Sequence, residues 1–301
     1  MTTRYNPGGT TALLLAMAIW GATYVITKAV LDDFGAMTVL AARFAIGFAG
    51  LYFLARPQGY RLRMSLDPRF IRFGVVGIVL HNGLETVGLT LTSAGSAALI
   101  IAAAPAVTVL FSMVFLKERV TRLQTFGLAL SIAGVVMVSG TAVGDLGIAS
   151  AVGTLLVFGG VVAWAVYTVQ GKRMADGYRP LVSTAAGAGS ALLFLVPLSM
   201  GEMAVTGLPD PTIGSVAGIL YLGLLASAAA YLLWNHALTQ VDAAFAAPFV
   251  NLVPIIGIAL ALILGETITP MQLAGGGIVG LGVWLSSLKP RVRRKLTREY
   301  A

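Results

Sequence analysis

Long apolar stretches alternate with short polar gaps along almost the whole of this 301-residue chain. Most stretches hold roughly 20 residues, which as a helix is the length that crosses a hydrocarbon core of about 30 Å. A span in lipid must satisfy its own backbone hydrogen bonds, and the alternating pattern of a barrel strand is missing. The pattern therefore predicts an all-α integral membrane protein. Ten transmembrane helices are predicted, over residues 10–28, 36–55, 71–91, 95–116, 123–140, 150–171, 181–200, 213–233, 243–264 and 271–288.

The positive charges indicate how these helices are oriented. All but two of the twenty Lys and Arg residues fall before the first stretch, after the last one, or into alternate gaps between them. Basic gaps stay on the cytoplasmic side of a membrane. We therefore predict that both termini and the segment 56–72 are cytoplasmic, while residues 141–147 and 202–210 are external.

Composition supports the same class of protein. Hydrophobic residues make up 57% of the chain and charged residues 11%, with a mean hydropathy of +0.89, which leaves too little polar surface for a water-soluble globule. The net charge of +8 is spread over short gaps beside membrane ends, which favours membrane lipids over nucleic acid as the partner. The chain has no cysteine, which excludes disulfides and thiolate chemistry.

An internal repeat organises the chain. Trp20, Tyr24 and Lys28 of the first helix are matched by Trp164, Tyr167 and Lys172 of the sixth, with eight residues from Trp to Lys in both copies. The correspondence continues where the fourth and fifth helices are matched by the ninth and tenth: Leu116, Glu118, Thr121, Gln124, Gly127 and Gly134 pair with Leu264, Glu266, Thr269, Gln272, Gly275 and Gly282.

Each copy holds five helices, and five is an odd number, so the second copy enters the membrane from the opposite side. The sequence thus predicts two inverted five-helix repeats. The predicted divisions are 1–144 for the first repeat, 145–288 for the second and 289–301 for a basic cytoplasmic tail.

Several of these residues resemble one family. They are Trp20, Gly21 and Tyr24 of the first helix, Arg43 of the second, the run Phe115 to Glu118 that ends the fourth, and its echo Leu264 to Glu266. In this order they resemble the EamA-type ten-helix members of the drug/metabolite transporter superfamily. The resemblance implies a multi-pass protein of the bacterial cytoplasmic membrane that exports small metabolites, above all aromatic or other neutral amino acids, by alternating access around a central cavity.

The third predicted helix carries the most polar residues. His81 and Glu85 are four positions apart and share one helix face, with Asn82 beside them. Polar residues inside a span are costly and usually face a cavity or a partner helix. One interpretation makes His81 and Asn82 contacts for the amino and carboxylate groups of a substrate, and Glu85 a carrier for proton coupling. The alternative is an internal hydrogen-bonded pair, or Glu85 neutralising Arg43.

Aromatic residues are the second group of candidates for the substrate site. Trp20 and Trp164 occupy matching places near the middle of their helices, so the repeat brings them to one depth around a shared cavity. Aromatic walls suit an apolar or planar side chain. Tyr24, Tyr167 and Tyr231 are predicted to extend this wall. The alternative is that these rings pack between helices or belong to an interfacial belt.

Two prolines and one asparagine complete the candidate site. Pro105 and Pro254 lie near the middles of the fourth and ninth predicted helices, where a missing backbone donor predicts a kink and a gate. Asn251, one turn before Pro254, is the predicted polar contact from the ninth helix.

No phosphate loop, metal-ligand cluster or nucleophile with a paired base occurs in the sequence, so no cofactor and no enzymatic activity are predicted. Three alternatives to amino-acid export remain at this point. They are an exporter of other small organic metabolites or drugs, a membrane-embedded enzyme, and a receptor. We expect a monomer or a weak dimer.

Overall fold

The computed structural model describes residues 6–91, 100–101, 103–139, 148–253, 255–256 and 270–288, and these residues contain helices and no β-strand. The α-helices are numbered in chain order. They are α1 (Pro7–Val30), α2 (Ala36–Ala55), α3 (Pro68–Gly74), α4 (His81–Leu91), α5 (Ala104–Phe111), α6 (Arg122–Ser139), α7 (Ile148–Met174), α8 (Pro180–Thr206), α9 (Ile213–Tyr221), α10 (Ala230–Gln240), α11 (Ala243–Ala246) and α12 (Pro270–Ser287).

Within the described residues, six helical segments are long and apolar enough to cross a membrane: Pro7–Thr27, Ala36–Gln58, Pro68–Gly88, Ala151–Met174, Pro180–Thr206 and Ile213–Gln240. Three shorter apolar helical segments cover Ala104–Leu116, Arg122–Met137 and Leu273–Ser287. These findings agree with the predicted all-helical membrane fold. The number of ten spans stays a prediction.

Three helices contain a π-helical stretch. Val75–Leu80 joins α3 to α4, Leu222–Ala229 joins α9 to α10, and Ser112–Leu116 follows α5. A π-helix bonds each residue to one five positions away; it is rare and is frequently found at functional sites. The first two stretches lead directly into the helices that carry His81 and Tyr231.

Two of the helix boundaries that differ from the sequence-based prediction have a clear local cause. The third helix begins at Pro68 rather than residue 71, because the Asp67 side chain caps it by accepting the backbone N–H of Arg69 at 2.9 Å. The eighth predicted helix ended at residue 233, yet α10 continues to Gln240. The polar Asn235 is tolerated there because its amide is bonded to other helices, as described below.

In the described part of the chain, the prolines of the fourth and ninth predicted helices do not lie in the middle of an α-helix. Pro105 lies in the first turn of α5 rather than in mid-helix, so its missing N–H removes no helical hydrogen bond there. The ninth predicted helix is not continuous, because α11 gives way to a 3-10 helix over Ala247–Asn251 with Pro248 in its first turn. Pro254 lies outside the described residues. A gating role for Pro105 and Pro254 stays a prediction.

Helices α6 and α12 approach each other closely through glycines. A Cβ added to Gly134 would lie 2.7 Å from the carbonyl oxygen of Gly275, and one added to Gly127 would lie 2.5 Å from that of Gly282. Such contacts leave no room for a side chain, which is how small residues let backbones approach in membranes. Gly127, the earlier residue on α6, meets Gly282, the later residue on α12, and Gly134 meets Gly275, so the two helices run antiparallel.

Candidate substrate site

Five aromatic side chains from three helices meet in the core. We call Trp20 of α1, Trp164 and Tyr167 of α7, and Tyr231 and Trp234 of α10 the aromatic cluster. The ring centroids of Trp20 and Trp164 are 5.4 Å apart and nearly perpendicular, and Trp234 lies 5.1 Å from Trp164. Tyr231 lies 5.5 Å from Trp20 and 5.8 Å from Tyr167. Rings at these separations attract one another by about 0.5–1.5 kcal/mol per pair beyond area burial.

Tyr167 is a fully buried ring of the cluster with several close contacts. It is 1% exposed and stacks on Phe73 of α3, with centroids 4.4 Å apart. Its hydroxyl oxygen accepts a hydrogen bond from Asn235 Nδ2 at 2.8 Å. The ring also lies against Gly77, where an added Cβ would overlap the Tyr167 atoms Cγ and Cδ2. Because Gly77 has no side chain, it leaves the space that the Tyr167 ring occupies.

Asn235 connects three helices. Besides Tyr167 of α7, its Nδ2 donates to Thr184 Oγ1 of α8 at 3.0 Å, while Asn235 itself belongs to α10 and is 3% exposed. Most buried polar groups in proteins are hydrogen-bonded, and the Asn235 Nδ2 meets this rule while its Oδ1 has no partner. These bonds explain why α10 continues through Asn235.

The polar face of α4 adjoins the aromatic cluster. The His81 ring lies 5.1 Å from that of Trp164, and its Nδ1 donates to the carbonyl oxygen of Gly160 at 3.1 Å. The other ring nitrogen, Nε2, faces Glu85, whose Oε2 is 3.8 Å away. The two side chains are partly exposed, at 21% and 16%.

Asn82 joins α4 to the aromatic cluster by hydrogen bonds. Its Nδ2 donates to the carbonyl oxygen of Ile78 at 2.9 Å and to the hydroxyl of Tyr231 at 3.2 Å. The Tyr231 hydroxyl in turn points at the carbonyl oxygen of Gly77, 3.5 Å away. Asn82 therefore fixes the Tyr231 ring relative to the π-helical stretch that precedes α4.

Two side chains from other helices donate hydrogen bonds to the second π-helical stretch, Leu222–Ala229. Trp20 Nε1 donates to the carbonyl oxygen of Ala226 at 3.1 Å, and Arg43 Nε donates to Ser227 Oγ at 2.7 Å. Arg43 is 5% exposed, and its guanidinium lies 5.3 Å from the centre of the Phe44 ring. This guanidinium is thus buried between α2 and the second π-helical stretch.

Most predicted site residues come together, and some do not. Trp20, Trp164, Tyr167, Tyr231, His81, Asn82 and Glu85 lie in or beside the aromatic cluster. Asn251 is instead buried where its Nδ2 donates to Ser131 Oγ of α6 at 2.9 Å. The side chain of Tyr24 lies outside the described part of the chain. Among the described residues, no group of three or more His, Cys, Asp or Glu side chains is placed to hold a metal ion.

Sequence reasoning did not find every residue that builds this site. Phe73, Gly77 and Asn235 each fix the Tyr167 ring, and none of them was a candidate for it. Gly77 is one of 36 glycines and has no neighbour in the sequence that distinguishes it. For Asn235, the signal was a polar residue that follows Trp234 directly inside an apolar helix.

The chain is similar over nearly its full length to proteins named as transporters or exporters. It is 29% identical to an uncharacterised transporter, YyaM, of Bacillus subtilis (strain 168), over 95% of this chain and 96% of that protein. It is 29% identical to a probable terminal-alkyne amino-acid exporter of Streptantibioticus cattleyicolor, over 94% and 95% of the two chains. It is 28% identical to a probable amino-acid metabolite efflux pump of Salmonella typhimurium, over 93% and 95%.

The fold also has a counterpart among solved structures. One crystal structure superposes with a TM-score of 0.81 at 19% sequence identity, covering 94% of this chain and 97% of the other. The sequence profile of the EamA-like transporter family matches twice, over residues 8–140 and 151–288. The resemblance seen in the sequence is thereby confirmed, and the family and its named relatives indicate a transporter rather than an enzyme. The chain is a multi-pass membrane protein and belongs to the EamA-like transporter family of the drug/metabolite transporter superfamily.

Proposed function

We propose that this protein exports aromatic or other neutral amino acids across the bacterial cytoplasmic membrane, by alternating access around the aromatic cluster. The observation that carries the proposal is the cluster itself, in which Trp20 from the first half of the chain meets Trp164 from the second at 5.4 Å. Rings contributed by both halves separate when the halves move, so a binding site between them opens to one side at a time.

The chemistry of the cluster supports an amino-acid substrate. Aromatic rings supply an apolar surface for a planar or aliphatic side chain. Beside them, His81 and Asn82 offer hydrogen-bonding groups for the ammonium and carboxylate of the substrate, and Glu85 offers a carboxylate for proton coupling. Two relatives named as probable exporters of amino acids or their metabolites support the same substrate class.

The proposal includes ten transmembrane helices arranged as two inverted repeats. The glycine contacts between α6 and α12 support this arrangement. The sequence repeat matches Gly127 with Gly275 and Gly134 with Gly282, while the contacts join Gly127 to Gly282 and Gly134 to Gly275. Exchanging the two copies therefore turns one contact into the other, which is the relation that a two-fold axis produces. The antiparallel course of the helices fits opposite insertion of the two copies.

The family comparison supports the same division of the chain. The two matches to the family profile, 8–140 and 151–288, fall inside the proposed repeats 1–144 and 145–288. The remaining residues, 289–301, form the proposed basic cytoplasmic tail.

Transport by purified protein in proteoliposomes tests the proposal. We expect counterflow of labelled phenylalanine or leucine in a panel that also holds other metabolites and cationic drugs. Trp20→Ala and Trp164→Ala should each lower transport about tenfold or more, since losing about 1.4 kcal/mol of binding has that effect. Trp284→Ala is the matched control, because Trp284 of α12 is 56% exposed. If both cluster variants carry substrate with unchanged rate and affinity, the substrate site lies elsewhere.

The panel also separates the alternative substrate classes. If only drugs or other organic metabolites are carried, and the tryptophan variants stop them, then the site is right and amino acids are the wrong substrate.

A further inference from the structure

Two opposite charges hold the short connection between α10 and α11. The ammonium of Lys172, near the end of α7, donates to the carbonyl oxygens of Leu238 at 2.8 Å and Val241 at 2.7 Å. The carboxylate of Glu118 accepts from the backbone N–H groups of Ala243 at 2.9 Å and Ala244 at 2.7 Å.

Each charge meets the backbone groups that suit it. The last carbonyls of a helix and the first N–H groups of the next have no partner within their own helices. Lys172 satisfies carbonyls at the end of α10, and Glu118 satisfies N–H groups at the start of α11. Hydrogen bonds to ionised groups are shorter and about twice as strong as those between neutral groups. The four bonds together tie the α10–α11 connection to α7 and to the segment that follows α5.

The backbone before Glu118 is shaped for this contact. Lys117 has a φ of +58°, and it is the one residue other than glycine with a left-handed conformation in the described chain. This conformation ends the π-helical stretch Ser112–Leu116 and turns the chain back, so that the N–H of Glu118 donates to the carbonyl oxygen of Ser112 at 3.3 Å. A left-handed lysine is unfavourable by itself and persists only where the surrounding structure requires it.

The connection is buried and leads to the aromatic cluster. Val241, Ala243 and Ala244 are 1%, 0% and 3% exposed. The helix α10 that enters the connection carries Tyr231 and Trp234. Movement of α10 and α11 away from α7 and from the segment that follows α5 must therefore break the bonds to Lys172 and Glu118.

We propose that Glu118 and Lys172 form a latch that keeps this end of the transporter closed, and that it must release the α10–α11 connection for the substrate path to open there. The proposal rests on the proposed transport function. The predicted topology places this end of the molecule on the cytoplasmic side.

Thiol labelling tests the latch without any substrate. Because the chain has no cysteine, Ala244→Cys introduces a single thiol into the closed connection. In detergent solution, adding Glu118→Gln or Lys172→Met to this background should speed its reaction with a charged maleimide about tenfold or more, since a hydrogen bond to a charged group contributes a factor of that size. Opening breaks the bonds to both charges, so the double variant should react faster than either single variant.

Glu202→Gln is the matched control. Glu202 of α8 caps another helix in the same manner, accepting from the backbone N–H groups of Met37 at 3.1 Å and Thr38 at 2.8 Å. It should leave the labelling rate at Ala244→Cys unchanged. Folded Glu118→Gln and Lys172→Met variants that label at the parent rate would overturn the latch.

A second measurement uses the unaltered protein, in case these variants do not fold. Hydrogen exchange of the peptide 241–246 in proteoliposomes should accelerate several-fold when L-phenylalanine is carried. Exchange that stays equally slow during measured transport overturns the latch. Absence of transport with labelling that follows the prediction instead contradicts the proposed substrate and leaves the latch standing.

Discussion

A single methyl group at Gly77 tests the packing of the aromatic cluster. In Gly77→Ala the new Cβ would overlap two atoms of the Tyr167 ring, and a third, Cε2, would lie only 2.6 Å away. The ring has little freedom to withdraw, because it is 1% exposed and stacked on Phe73 at 4.4 Å. Any withdrawal also strains the hydrogen bond from Asn235 at 2.8 Å.

The expected loss of stability follows from these contacts. Inserting a methylene into a packed core costs about 1–3 kcal/mol. Replacing glycine by alanine within a helix returns up to about 1 kcal/mol. Gly77→Ala should therefore lower the free energy of unfolding by up to about 2 kcal/mol and reduce transport through the displaced ring.

Gly83→Ala is the matched control for this prediction. Gly83 lies in α4, within two turns of Gly77, and an added Cβ there has no atom within 4 Å. This variant should be as stable as the parent or slightly more stable. Thermal unfolding in detergent and counterflow in proteoliposomes measure both properties on the same samples.

A double-mutant cycle identifies the cause of the effect. In a Tyr167→Ala background the ring is gone, so adding Gly77→Ala should cost almost nothing. The packing argument is refuted if Gly77→Ala is as stable as Gly83→Ala, or if its cost is unchanged when Tyr167 is absent.

Three further predictions concern charges. Glu85→Gln should lower thermal stability because it removes the carboxylate facing His81 at 3.8 Å. A stable variant that keeps counterflow but no longer uses a pH gradient to concentrate substrate would assign Glu85 to proton coupling. A stable variant that keeps both activities would exclude both roles. In Arg61→Cys the new thiol should resist an impermeant thiol reagent applied outside intact cells, while in Leu208→Cys, at a position that is 85% exposed, it should react. The reverse pattern would contradict the predicted topology. Burial raises the pKa of Glu118 above its ordinary 4.5, so as pH rises the folded state holds this proton longer than the unfolded state does. The free energy of unfolding should therefore fall as pH rises through the interval above 4.5. If the free energy of unfolding of Glu118→Gln falls with pH as steeply as that of the parent, this prediction is disproved.

The pattern of the sequence predicted much of the fold. The length and apolarity of the stretches indicated lipid as the solvent, and lipid requires helices. The shared spacing of Trp20 to Lys28 and Trp164 to Lys172 indicated two copies, and the two tryptophans lie in contact. Helix ends were less well predicted. At Asn235, for example, local polarity suggested the end of a helix that in fact continues.

The partners of individual side chains were beyond the reach of the sequence. Glu118 contacts the backbone of Ala243 and Ala244, and Gly77 contacts Tyr167, across long separations in the chain. Such contacts follow no period and depend on how several helices come together.

The sequence by itself determined the class of this protein, the approximate positions of its helices and the pairing of its tryptophans. Those features depend on local length, apolarity and spacing. Tertiary structure decided which face of each helix meets which neighbour, and thereby assembled the aromatic cluster and the latch. In water, an amphipathic pattern shows which face of a helix is buried. In lipid the outer face is as apolar as the core, so that signal is lost and only the packing of the helices against one another decides.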